Sequence, residues 1–386
     1  MNPSSSFLEV NQQTLDRQAH LLDGIKHFTD NSRLNSHEIN RTAVLLDNAE
    51  ADFCSRKQIT RTQLEAMKTE ANVNVSGDAA AFIKIQLPLI RKIYPALISR
   101  EFVSVQPMSQ PTMKIFYHDI QRMDTNASMS GDPHARRAFA DHGEHNEAAP
   151  VAVKRIGMKI TSDSVSATEK KLMYENTVEA QQDFMSQHGI SLDSELTDAL
   201  SMEIVREWDR MIIEAMLTDA TGGTSSFSAV TPAGISYTDR KVWMESLMES
   251  FIDVDTQIYG KSYRQTNFII IPHTVAGFMS KAAGFVVNPV SPEQQIIQTG
   301  GRYFMGTLNN RWRVYVDPFI TKCLIGFNDP NNWMYTSFVW SPYILSYFSD
   351  PFTDPETFVT KKAIMSRAAM KTVRPDLLGT VDITWV

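Results

Sequence analysis

The chain has 386 residues, of which 42% are apolar and 21% charged, with a formal net charge of −7 at pH 7. That size and balance describe a folded protein with a sizeable core and two or more subdomains, and no apolar run approaches the roughly 18 residues of a membrane span. Its two cysteines, Cys54 and Cys323, exclude a disulfide framework or a cysteine-based zinc site, and MNPSSSFLEV at the start has no basic-then-apolar signal pattern.

The negative charge is concentrated in one place. Between Glu169 and Asp219 there are twelve acids and four bases, so 4 − 12 = −8, and the rest of the chain is close to balanced. No basic stripe of the kind a nucleic-acid reader carries is present.

Residues 1 to about 75 are polar, with Leu15, Ala19 and Leu22, then Ile39, Ala43 and Leu46, at helical spacing. The segment NVNVSGD (72–78) reads as a linker broken by Gly77 and Asp78. In PLIRKIYPALISREFVSVQPMSQPTMKIFY (88–117), a basic amphipathic turn (Leu89, Ile90, Ile93, Leu97, Ile98) runs into a short apolar strand and a proline-punctuated corner. IFYH (115–118) leads out and VKRIGMKIT (153–161) leads back. The polar stretch between them has no helical or strand period, which predicts a long hairpin reaching away from the body.

Ser166-Ala167-Thr168-Glu169 has the form of a capping box, which predicts a helix to about His188 with Gly189 as its stop. Leu196, Leu200, Ile204, Trp208, Met211, Ile212 and Ala215 then form one stripe at three- and four-residue steps, with acids opposite. This predicts a helix of roughly 27 residues, about 40 Å long, more than twice the mean length. Such a helix serves as a rod or spine. Trp208 and the methionines Met202, Met211 and Met216 read as core.

Further along, helices are expected over 242–255 and 273–284. Strands are expected at NFIIIP (267–272), WRVYVDP (312–318), KCLIGF (322–327) and SFVWSPYILSY (337–347), making a mixed α/β subdomain. The tail from Phe358 reads as strands around the turn RPDLLG (374–379).

No set of titratable residues converges into a catalytic group. His142-Gly143-Glu144-His145, with His134 nearby, lacks the helical spacing of a zinc motif and reads as a solvated loop tip. Gly300-Gly301 before Arg302 has no phosphate-loop context and reads as a turn. No metal or cofactor is expected.

The arm and corner resemble those of the major capsid proteins of the T-even branch of tailed phages. The matching residues are Leu89-Ile90-Arg91, Tyr94-Pro95, Leu97, Val105-Gln106-Pro107-Met108 and Pro111-Thr112, with Ser109-Gln110 departing from the pattern. The similarity continues in HGI (188–190), NFII (267–270), GTLNNRWRVYVDP (306–318), WSPY (340–343) and Gly379-Thr380. It runs collinearly from about residue 80 to the C-terminus.

The resemblance implies an α+β fold of the Hong Kong phage capsid type. Its segments would be a helical region on the inner face (1–78), an N-arm (79–113), an extended loop (114–161) and a peripheral domain with the spine helix (162–240). An axial domain (241–345) and a return to the peripheral domain (346–386) would follow. It also implies a non-enzymatic subunit that assembles with itself into hexamers and pentamers, enclosing double-stranded DNA without sequence-specific binding. Portal, scaffold and decoration or vertex proteins would be its partners, the virion shell its location and the host cytoplasm its assembly site. Arg91, Lys92, Arg136, Arg137 and Arg302 are the expected inter-subunit contacts. None of the glutamates before residue 100 follows the relatives' Leu/Ile-x-Glu cleavage pattern, so the N-terminus is expected to be retained. A pentamer-only vertex paralogue, an encapsulin-like compartment shell and an enzyme with a loop-borne site are the alternative readings.

Overall fold

The computed structural model describes residues 36–57, 97–122, 156–230, 245–280, 302–329 and 336–384, with short pieces at 60–62, 64, 93–94, 243, 282 and 284–287. The N-terminal helix expected around Leu15, the 72–78 linker and the whole of 123–155 lie outside the described residues.

Helix α1 (Ser36–Lys57) is followed by the arm, a 3-10 turn at Ser99–Glu101 and the short strand β1 (Ser104–Val105). Strands β2 (Thr112–Arg122) and β3 (Ile156–Ser166) form an antiparallel hairpin in unbroken register from Thr112↔Ser166 to Arg122↔Ile156. Next come β4 (Thr168–Thr177), α2 (Val178–His188) and α3 (Leu192–Asp219). The spine is therefore 28 residues long, as its stripe requires.

The capping-box expectation fails: residues 168–177 are strand, and the helix begins only at Val178, capped by Thr177 Oγ1 accepting from Ala180 N at 3.2 Å. Its stop at Gly189 holds, in the left-handed region at φ 67°. The local capping signal loses to ten paired positions along strand β13 (Val359–Thr372), from Val359↔Thr177 to Ala368↔Thr168. The period-two pattern is hard to see in the sequence because the inward positions include Lys170 and Asn176 beside Leu172 and Tyr174.

Strand β13 is the middle of a five-stranded sheet. It pairs with β4 on one side and with β11 (Phe338–Phe348) and the short β12 (Phe352–Thr353) on the other, while β1 joins β11 in parallel. The β11–β13 register shifts after Pro342, whose missing N–H interrupts the ladder. The spine lies on this sheet, burying Ile204, Val205, Trp208, Ile212, Ile213 and Met216 in one core with the arm's Ile93, Tyr94, Leu97 and Phe102. Met202 faces solvent instead, 37% exposed, so the methionine-face reading holds for Met216 and in part for Met211.

The second sheet has seven strands: β5 (Gly223–Ser228), β6 (Phe268–Pro272), β7 (Phe285–Val287), β8 (Tyr303–Leu308), β9 (Trp312–Asp317), β10 (Cys323–Gly326) and β14 (Leu378–Thr384). Their order is β5-β14-β10-β6-β9-β8-β7. Every residue of β6 is buried, and Pro272 ends it as the N-cap of α5 (His273–Met279). Helix α4 (Leu247–Ser262) covers the sheet; it runs further than expected, because Val254 and Ile258 continue its buried stripe. Sheet membership cuts across the expected segments. Strands β5 and β14 join the second sheet, and β11 joins the sheet under the spine.

Candidate assembly site at the arm junction

The proline corner and the WSPY motif, more than two hundred residues apart in sequence, are neighbours. Ser104↔Val339 and Val105↔Trp340 pair in parallel, then Gln106 N donates to Trp340 O and Met108 N to Pro342 O, both at 2.9 Å. Pro107 sits where the corner donates nothing, so the ladder continues past it through Met108. Helix α1 straps both motifs: Asn48 Nδ2 donates to Met108 O at 2.6 Å and to Tyr343 O at 3.2 Å. Met108, Ile115, Val165, Val339 and Ala369 then close a small apolar cluster where the hairpin meets the sheet. This grip fixes the base of β2–β3 against the first sheet. Ser109 and Gln110, where the sequence departs from the family pattern, are exposed and outside the grip.

A few residues earlier, at 98–102, the arm meets the spine and the second sheet together. Asp209, on the spine and 1% exposed, accepts from Ile98 N at 3.3 Å and Ser99 N at 3.1 Å. It thus caps the 3-10 turn from outside, with the carboxylate meeting the positive end of the turn. Burial pushes this carboxyl up to about 6, and contacts from Ser99 and the field of Arg302 offset only part of the shift. At the end of the same turn, Glu101 Oε2 accepts from Tyr315 Oη of β9 at 2.7 Å, and Phe102 stacks on Phe268 of β6 with ring centroids 5.4 Å apart. Burial and the nearby Glu101 carboxylate push the Tyr315 hydroxyl well above its usual range.

Arg302 belongs to this junction. It is 3% exposed; its Nε donates to Asp317 Oδ2 at 2.6 Å and its Nη1 to Arg206 O at 3.2 Å. Two of its guanidinium nitrogens are therefore held inside the subunit, where the sequence reading expected a contact between subunits. The basic side chain needed a buried acid for company, and the sequence gives no local sign that Asp317 is that acid. Arg91, Lys92, Arg136, Arg137, the 142–145 histidine stretch and Gly300-Gly301 lie outside the described residues.

The acidic segment is less bare than its count implies. Six of its acids pair with cations of the same chain: Glu169 with Lys171 and Arg367, Glu175 with Lys361, Asp193 with Lys362, Glu203 with Arg206, Glu207 with Lys170 and Glu214 with Arg210. Three of these cations come from β13, so the sheet answers the charge of the segment beside it. Lys362 also donates to Thr197, and Asp193 accepts from the Tyr174 hydroxyl, which fastens the start of the spine to β4 and β13.

Among the described residues, no group of three or more His, Cys, Asp or Glu could hold a metal, and no helix is long and apolar enough to cross a membrane. Both cysteines are buried, and burial raises the Cys323 thiol far above its usual value.

A sequence profile described as "Major capsid protein Gp23" matches residues 79–149 and 120–377, taking in the arm, the hairpin, the spine, the first sheet and all of the second sheet but β14. The chain belongs to the Gp23 major capsid protein family. A major capsid protein of Serratia phage KSP90 is 23% identical over 305 residues, covering 65% of this chain and 68% of that one. The major capsid protein of Enterobacteria phage T4 is 26% identical over 212 residues, covering 49% of this chain and 39% of its own length. The chain thus spans about two thirds of the first relative and about two fifths of the second. Among solved structures, the capsid of Myoviridae phage XM1 is 11% identical with a TM-score of 0.46, covering 74% of this chain and 91% of that one.

Membership in the Gp23 family gives its shared motifs a physical sense. In GTLNNRWRVYVDP, Asn309 and Asn310 (φ 50° and 55°) form the tight turn between β8 and β9, with Arg311 N donating to Leu308 O at 3.0 Å. In Gly379-Thr380, a Cβ on Gly379 would press on Val254 of α4 and lie 2.9 Å from Gly223 O, so only glycine lets β14 pass. The sequence offered the motifs; it gave no sign of Asn48 and Asp209, which carry no pattern of their own.

Proposed function

We propose that this chain is the shell-building subunit of a tailed bacteriophage head, assembling with itself into hexamers and pentamers around double-stranded DNA. The observation that carries the reading is the family match over residues 79–377, which takes in the arm, the hairpin, the spine and most of both sheets. The order of parts supports it. A gripped corner launches a hairpin, a 28-residue spine crosses the first sheet, and a second sheet stands beyond the junction. A subunit of this build makes heterologous contacts that close into rings and tile a shell, held by many weak contacts acting together.

On this reading the work is mechanical and not catalytic. The segments 79–113 and 114–161 act as arm and extended loop, the spine with the first sheet acts as the peripheral domain, the second sheet with β5 and β14 acts as the axial domain, and 1–78 lies toward the interior. Arg91, Lys92, Arg136 and Arg137 meet acids of neighbouring copies. Assembly takes place in the host cytoplasm, with portal, scaffold and vertex or decoration proteins as partners.

The test is expression of the chain alone, followed by sedimentation and negative-stain imaging. Closed shells, tubes or flat hexagonal sheets support the reading. A compact monomer of 43.6 kDa at every concentration overturns self-assembly of this chain, and isolated pentamers would point to a vertex protein.

A further inference from the structure

Helix α2 has 11 residues and buries none of their side chains. A helix this short is marginal on its own hydrogen bonds and is held in place by packing an apolar face. Among the described residues that face is unpartnered. Val178, Gln181, Gln182 and Met185 line one shallow groove along it, and Met185 is 56% exposed. At its start the groove meets the β12–β13 turn, where Val178 N donates to Phe358 O at 3.3 Å. Phe358 is 60% exposed there, and Phe352 on β12 is 64% exposed. Phe358 also holds φ at 50°, a region that glycine enters freely and a bulky side chain does not. A solvent-facing phenylalanine kept in a strained backbone argues for a surface made to be covered.

Acids rim this surface. Glu179 and Asp183, one helical turn apart, flank the groove, and Asp354 and Glu356 belong to the turn. None of the four pairs with a cation among the described residues. An apolar groove with an acidic rim fits an apolar, basic occupant. Residues 79–92, AAAFIKIQLPLIRK, carry six large apolar side chains together with Lys84, Arg91 and Lys92, and no acid. They lie outside the described residues and lead into Ile93 and Tyr94, which are buried beside the spine.

Resting on the reading of the chain as a shell subunit, we propose that the α2 groove and β12–β13 turn of one copy receive residues 79–92 of a second copy. Lys84, Arg91 and Lys92 then meet the acids on the rim. Donor and receiver are different parts of the chain, so the contact is heterologous and can repeat from copy to copy, as a closed ring requires. The basic stretch 153–162 is the competing occupant, but from Ile156 onward its backbone is paired with β2.

The test assembles unlabelled and heavy-nitrogen full-length chains together and joins lysines to carboxylates with a zero-length carbodiimide crosslinker. Mixed-label links from Lys84 or Lys92 to Glu179, Asp183, Asp354 or Glu356 are expected. Glu179→Lys with Asp183→Lys should lower the yield of assemblies, and adding Arg91→Glu with Lys92→Glu should restore it. Phe358→Gly relieves the strained backbone, so it should keep or raise the denaturation midpoint of the unassembled chain and still lower the yield. Links confined to one chain, links from Lys154 or Lys159 in place of Lys84 and Lys92, full yield in the charge or glycine variant, or a yield the swap fails to restore overturns this contact while assemblies still form. Chains that never assemble overturn the shell reading, and the contact falls with it.

Discussion

Met108 donates its backbone N–H to the carbonyl of Pro342 at 2.9 Å, joining the two proline-bearing motifs of the chain, and Asn48 bridges their next carbonyls. The launch angle of the hairpin thus depends on an amide from a helix that no motif marks. Asn48→Ala leaves Met108 O and Tyr343 O without that donor in a half-buried site, at a cost of about 1–3 kcal/mol. The check is the denaturation midpoint of the soluble chain, together with faster exchange at 108–116. An unchanged midpoint and unchanged exchange would show that water takes over the amide's place.

Trp208 fixes the spine to the sheet. Its indole Nε1 donates to Ser366 Oγ at 2.8 Å, with both residues buried, and Ser366 Oγ donates on to Ile344 O at 3.3 Å. Ser366→Ala leaves a buried indole N–H unpaired and should destabilise by about 1–3 kcal/mol; Trp208→Phe loses the bond and some packing. Since the two residues touch, the double variant should cost less than the sum of the singles. Strict additivity in urea titrations would mean that the hydrogen bond contributes nothing.

Gly379 tests the packing of α4 on β14. With Val254 and Gly223 O in the way of any Cβ, Gly379→Ala forces the helix and strand apart or breaks the register with β5 and β10, where Gly379 pairs with Gly223 and Ile325. The expected loss is about 1–3 kcal/mol, as for overpacking elsewhere. Gly260, with open space around it, is the control: Gly260→Ala should stabilise helix α4 by up to about 1 kcal/mol.

The long elements were legible because their patterns are strong. The stripe from Leu196 to Ala215 fixes the spine to within a residue or two, and the apolar run Phe268–Pro272 marks a strand buried on both faces. Strand β4 was not legible, since its inward residues include a lysine held by Glu207 and an asparagine, and only its partner β13 shows that they point inward. The junction was hidden for a similar reason. Asp209 reads as one more acid on an acidic helix until the turn at Ser99 is brought against it, and Arg302 reads as a surface base until Asp317 is placed beside it. Sequence spacing reports periodicity; which charges end up facing one another is decided by tertiary packing.

Arg302 gives the last prediction, because its two possible roles predict different losses. With the side chain 2% exposed and Asp317 1% exposed, removing the cation strands a buried carboxylate whose other partner is the Phe319 N–H at 2.8 Å. Arg302→Met should therefore destabilise the subunit itself by about 3–5 kcal/mol, and Asp317→Asn added to it should recover part of that by removing the stranded charge. Were Arg302 an inter-subunit contact, the single variant would leave the midpoint of the unassembled chain unchanged and lower only the yield of assemblies. Measuring the midpoint below the assembly concentration, and assembly yield by sedimentation above it, separates the two. The buried pair with Asp317 predicts a drop in the first measurement.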